Sequence, residues 1–114
     1  MITCIIRYEI DAFRIADFET YARNWGQAIP ACGADLIGYF APHEGSTTTA
    51  YGIYNIASLA AYEAYRERLR SNALARANFE FAQKERFIVK EDRLFLRKAS
   101  EPHAVVRPFG DERG

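Results

Sequence analysis

A histidine beside a flexible polar loop is a natural place for proton transfer near neutral pH. His43 fits that description: Glu44 follows it, and then Gly45-Ser46-Thr47-Thr48-Thr49. Tyr39 lies four residues earlier and shares its parity if the segment is a strand. The two are the candidate catalytic residues, placed to polarise or deprotonate an activated ring hydroxyl. The plainer account of His43 is an exposed loop histidine, because loops are polar.

Aromatic rings form a second group. Tyr21 and Trp25 fall on the inward side of a helix that would face Tyr39, and Tyr54 of a later strand is counted with them, so the rings could line a cavity for a planar apolar molecule. Core packing alone also gathers such rings. Gly38 and Gly52 interrupt adjacent strands, and the missing side chains leave room for a ligand or for a closely packed helix. Arg7 and Glu9 share one face of the first strand, where an anion site or an ion pair could form. A partly buried charge without a partner is costly, so a mutual or cross-subunit pair is the default expectation. Asn55, Lys90, Asp92 and Arg93 add strand polar groups that no pattern brings together. The two histidines, His43 and His103, are far apart and the carboxylates are isolated, so no metal set is expected. Neither a glycine-rich phosphate loop nor a nucleophile elbow occurs, and no cofactor is expected.

These residues need elements to hold them. Ile2 to Ile10 alternates with period two, as a strand does. From about Arg14 the period lengthens: Ile15, Phe18, Ala22, Trp25 and Ile29 recur at three and four, predicting an amphipathic helix that Gly33 closes. Leu36 to Ala41 and Thr48 to Ile56 are the second and third strands, with turn residues between them. Ser58 caps a helix with a Leu59, Tyr62, Tyr65 or Arg66, and Leu69 stripe, and Asn72 caps a further stretch holding Leu74, Ala77, Phe81 and Ala82. Phe87 to Arg97 is the fourth strand. The order is one β-α-β pattern written twice, which predicts an α+β, ferredoxin-like βαββαβ domain over residues 1–98. Residues 99–114 form a tail with Pro102 and Pro108, whose Val105, Val106 and Phe109 are candidates to dock on a neighbour.

The 114-residue length suits one domain, and 49% apolar with 26% charged residues is an ordinary globular composition. Fifteen basic residues balance fifteen acidic ones, which argues against a nucleic-acid partner. The N-terminal strand is broken by Arg7, Glu9 and Asp11, so neither a leader nor a membrane span is read there, and a cytoplasmic protein is expected. Cys4 and Cys32 lack the close spacing of a zinc or redox motif and read as buried thiols.

Each predicted strand carries apolar side chains on both parities: Ile5 with Ile6, Ile37 with Phe40, Ile53 with Tyr54, Leu94 with Phe95. A solvated face would read polar throughout, so a twin subunit is expected to cover the sheet.

Several stretches then carry a resemblance. The Ile6-Arg7-Tyr8 step, Phe18-Glu19-Thr20-Tyr21-Ala22-Arg23-Asn24-Trp25, Gly38-Tyr39-Phe40 and Ser58-Leu59-Ala60-Ala61-Tyr62-Glu63-Ala64-Tyr65-Arg66 together resemble the NIPSNAP family. The likeness covers roughly Met1 to Arg97. Ile6 stands where that family often has a basic residue, and no role attached to that position is carried over. The resemblance implies two protomers whose sheets close a dimeric α+β barrel. It also implies kinship with a superfamily that includes cofactor-free monooxygenases, isomerases and haem-degrading enzymes. The expected function is binding of a small apolar or aromatic molecule between sheet and helices, with Arg7, Tyr21, Trp25, Gly38, Gly52 and Tyr54 as ligand-binding candidates. The alternatives are a cofactor-independent monooxygenase or isomerase acting on an activated phenol or quinone, and a structural or interaction module.

Overall fold

Alternating apolar residues can bury one face of an extended chain, and the sheet is built on such a segment. In the computed structural model, which describes residues 1–101, β1 runs Ile2–Ile10. Its even-numbered side chains Cys4, Ile6, Tyr8 and Ile10 are all buried. The other strands are β2 (Asp35–Phe40), β3 (Thr49–Ile56) and β4 (Ile88–Leu96). They lie in the order β2-β3-β1-β4, with every neighbouring pair antiparallel. This is the ferredoxin-like βαββαβ plan.

Helix α1 (Ile15–Ala31) buries Phe18, Trp25 and Ile29 of the expected three-and-four repeat together with Tyr21 and Ala28, while Ile15 and Ala22 are only partly buried. Gly33, at φ +102°, closes its end in a conformation that a side chain would strain, and a Cβ there would also press on the Arg68 guanidinium. The second crossover holds two helices, α2 (Leu59–Ser71) and α3 (Ala73–Glu85), separated by Asn72 alone. The Ser58 hydroxyl accepts from the Ala61 amide at the start of α2, and the Asn72 side chain accepts from Ala75 at the start of α3. Leu59 departs from its expected stripe: it is 60% exposed at the first position of α2, while Tyr62, Tyr65 and Leu69 are buried.

Two polar ties lock the helical layer. Arg14 donates to Asp17, to the Glu85 carbonyl and to the Glu85 carboxylate, joining the first turn of α1 to the last of α3. Buried Asn78 donates to the Tyr21 carbonyl and accepts from Asn24, so a polar side chain in the core has its partners.

Cross-strand partners share a face, so the register sorts the sheet. One face carries Cys4, Ile6 and Tyr8 beside Tyr54, Gly52 and Ala50 on one side and Phe95, Arg93 and Glu91 on the other. The helices pack here: Tyr21 and Phe18 meet Tyr8, and Tyr65 meets Tyr54. The opposite face has no covering layer among the described residues. It shows Ile5 between Ile53 and Leu94, with Phe40 at one edge and Leu96 at the other. Phe40, Leu94 and Leu96 are 49%, 56% and 47% exposed. Two irregularities shape the edges: β2 shifts register between Leu36 and Gly38, and the β1–β4 pairing shifts between Glu9 and Ile10. The expected docking residues Val105, Val106 and Phe109 lie outside the described residues.

A candidate ligand cleft between sheet and helices

Side chains of β1, β2 and β3 rise from the sheet toward rings descending from α1 and α2, and the two sets do not fill the space between them. A cleft of about 150 Å³ remains. Its floor includes Ile6, Tyr8, Tyr39 and Tyr54, and its roof Tyr21, Trp25, Tyr62 and Tyr65. Glu91 and Arg93 of the edge strand and Arg66 of α2 are also among its lining residues, and they supply its charged groups.

Tyr39 owes its position to a glycine. A Cβ on Gly52 would lie 2.6 Å from Cζ of the Tyr39 ring, closer than any real contact, so the ring rests on bare backbone. Thus the gap at Gly52, expected to receive a ligand or a helix, receives a cross-strand ring. From there the Tyr39 hydroxyl stands 3.0 Å from that of Tyr8, one donating to the other. Tyr8, Phe18 and Tyr21 surround the ring with centroids within 6.4 Å.

Trp25 is 3% exposed, packs edge-on against Tyr21 and Phe79, and carries the one buried side-chain donor without a hydrogen-bond partner among the described residues, its Nε1. A buried indole N–H normally finds an acceptor, and the Trp25 ring is one of the groups that line the cleft. At the rim, Arg93 donates through Nη2 to Glu91 at 2.9 Å, and the Arg66 guanidinium stands 5.8 Å from the Tyr62 ring centre.

Burial controls the acid–base character of this site. It pushes the phenols of Tyr8 and Tyr39 well above their usual range and raises those of Tyr21, Tyr54 and Tyr65, because a phenolate would lose its hydration there. Neutral phenols donate hydrogen bonds, so Tyr39 is equipped to polarise a bound oxygen and not to remove its proton. Desolvation works against the charge of Arg93, but Tyr62 and Glu91 outweigh it and raise its pKa, leaving the guanidinium charged. Burial likewise raises the Cys4 thiol. Among the described residues no three His, Cys, Asp or Glu side chains form a metal-holding group.

The expected site residues divide. Tyr21, Trp25, Tyr39 and Tyr54 come together in the cleft. His43 does not join them: β2 ends at Phe40, Pro42 follows, and His43 is exposed in the β2–β3 connection. Arg7 is on the uncovered face, 3.3 Å from Glu9, beside a hollow shared with Tyr51, Asp92 and Leu94. Gly38 sits at the β2 irregularity opposite Ile53, away from the cleft lining. Tyr62, Tyr65, Arg66, Glu91 and Arg93 were not singled out as site residues. For the strand pair the usable signal was their common parity with Phe95, an apolar residue facing the helices.

The comparisons with known proteins agree with this architecture. The NIPSNAP family model matches residues 3–101. No match is found among curated proteins. Of the similar solved structures, a NIPSNAP family protein with unknown function from Agrobacterium tumefaciens is 18% identical, with a TM-score of 0.74 over 87% of this chain and 88% of that one. An uncharacterized NIPSNAP domain protein from Burkholderia xenovorans is 19% identical, with a TM-score of 0.72 over 91% of this chain and all of its own. A protein from Nitrosomonas europaea, provisionally described as an antibiotic biosynthesis monooxygenase, is 12% identical, with a TM-score of 0.68 over 88% of this chain and 100% of that one. No helix among the described residues is long and apolar enough to cross a membrane.

Proposed function

The chain belongs to the NIPSNAP family, and from that premise we propose that it is a homodimeric protein that binds a small aromatic molecule between its sheet and its helices. The observation that carries this reading is the cleft of about 150 Å³ lined by the rings of Tyr8, Tyr21, Trp25, Tyr39 and Tyr54. A cavity of roughly that volume accepts a benzene ring. The neutral phenols around it offer hydrogen bonds to a ring oxygen, and the aromatic faces offer stacking.

Trp25 is the only tryptophan in the chain, so its fluorescence reports on the cleft directly. Titration with simple phenols, benzoquinones and benzoates is expected to change Trp25 emission saturably for at least one class, and Tyr39→Ala should weaken that binding. Emission that stays flat with every class would count against a ligand cleft.

The dimer is argued from the uncovered face. Ile5, Ile53, Leu94, Phe40 and Leu96 make an apolar surface, and the Arg7–Asp92 and Glu9–Lys90 cross-strand neighbours supply paired charges around it. A specific interface of ordinary size buries on the order of 800 Å² per partner. Sedimentation at micromolar concentration is expected to give a species of twice the chain mass, and Leu94→Asp should shift it toward single chains.

A second reading is a cofactor-independent monooxygenase or isomerase. Glu91 favours it, as the carboxylate among the cleft-lining residues, with the Tyr39 hydroxyl available to polarise the substrate. Turnover of a phenol or quinone that Glu91→Gln abolishes without loss of binding would select this reading over simple binding.

A further inference from the structure

The charged groups of the cleft are unevenly distributed. Its walls are rings and aliphatic chains, yet the lining includes two guanidiniums, Arg66 and Arg93, against one carboxylate, Glu91. Glu91 engages Arg93 through a single nitrogen, Nη2. A guanidinium has five N–H donors, so most of the Arg93 fork is uncommitted to other described side chains. Arg66 is held near the Tyr62 ring face by a cation–π contact and forms no salt bridge among the described residues, so its donors also remain available. A net positive rim on an aromatic slot complements an aromatic ring that carries a negative group.

Resting on the ligand-binding reading above, we infer that the cleft takes a monocyclic aromatic carboxylate, with its ring between Tyr39, Tyr21 and Trp25 and its carboxylate at Arg93 and Arg66. A volume of about 150 Å³ is enough for one six-membered ring. The guanidinium fork suits the planar pair of oxygens in a carboxylate. Glu91 holds Arg93 in place and repels a second anion, so one acidic group is accepted.

The test compares two probes of nearly equal shape, 4-hydroxybenzoate and 4-hydroxybenzamide, by titration of Trp25 emission on the full chain. The acid is expected to bind about tenfold or more tightly than the amide, as charge-assisted hydrogen bonds require, and added salt should narrow the gap. Arg93→Gln should remove most of that preference by weakening the acid more than the amide, and Arg66→Gln should remove a smaller part. Circular dichroism checks that both variants fold. Equal affinities for acid and amide would overturn the carboxylate assignment and leave the aromatic cleft standing. A preference that survives in the double variant would overturn the assigned residues. If neither probe is bound, the inference fails, and phenols or quinones that still alter Trp25 emission would show that the cleft itself is real.

Discussion

The two faces of one sheet solve the problem of apolar surface differently. On β1 the even-numbered Cys4, Ile6, Tyr8 and Ile10 are at most 3% exposed, while the odd-numbered Thr3, Ile5, Arg7 and Glu9 remain partly or fully open. Hydrophobicity does not separate the faces, because Ile5, Ile53 and Leu94 are as apolar as Ile6 and Ile10. Ring content and charge arrangement do. The helix-facing side is filled by Tyr, Phe and Trp side chains in edge-on and tilted contacts, whose shapes leave a polar-edged gap. The outer side has an apolar row through Ile5, Ile53 and Leu94, flanked by the opposite charges of Arg7 beside Asp92 and Glu9 beside Lys90.

The sharpest way to break this contrast is a pair of truncations. Phe18→Ala removes a fully buried ring and is expected to cost about 3 to 5 kcal/mol in chemical denaturation. Leu94→Ala, on the open side, should cost well under 1 kcal/mol in the isolated subunit and act instead on self-association. Equal losses would show that both faces are packed alike within one chain.

Next in size is Gly52→Ala. The added methyl drives into the Tyr39 ring, and overpacking of this kind costs roughly 1 to 3 kcal/mol. Combined with Tyr39→Ala, the loss should be smaller than the sum of the two single changes, a non-additivity visible in a double-mutant cycle.

The buried phenols give a pH signature. Their folded pKa values are raised above about 10, the unfolded value, by desolvation. The stability they contribute is therefore complete below that pH and is lost as the pH climbs beyond it, because the unfolded chain ionises first. Denaturation midpoints are expected to stay level with respect to these groups near neutrality and to fall in the alkaline range, less steeply in Tyr8→Phe. The smallest effect belongs to the open face: Arg7→Ala removes a pair with side chains 47% and 32% exposed and should change stability by no more than about 1 kcal/mol.

The fold was readable because its elements obey simple periods. β1 has the bounds its alternation predicts, and the three-and-four repeat of α1 picks out its buried side through Phe18, Trp25 and Ile29, with Tyr21 and Ala28 beside them. Ser58 and Asn72 cap the two helices they were expected to cap. The cleft lining was readable only where a regular helix or strand carries it, as with Tyr21, Trp25 and Tyr54. Linking Tyr39 to His43 by parity assumed that the strand runs on, and it stops at Phe40. Arg93 stayed unassigned and Glu91 unnamed because an edge strand with charges on both parities gives no facing signal until its register is known. That register itself shifts at Glu9 and Ile10. Gly52 advertised a gap, but the pairing of β2 with β3 decides what fills it, and the irregularity at Gly38 hides that pairing from the sequence.

The ring resting on naked backbone at Gly52 ties two positions thirteen apart into a single unit of inheritance. A lineage that gains bulk at 52 must surrender it at 39, and the Tyr8 hydroxyl then loses its companion. Two substitutions confined to neighbouring strands would thus redraw the floor of the cleft while every helix stays where it was. The interior of this scaffold can change shape sideways, strand by strand, with the overall architecture untouched.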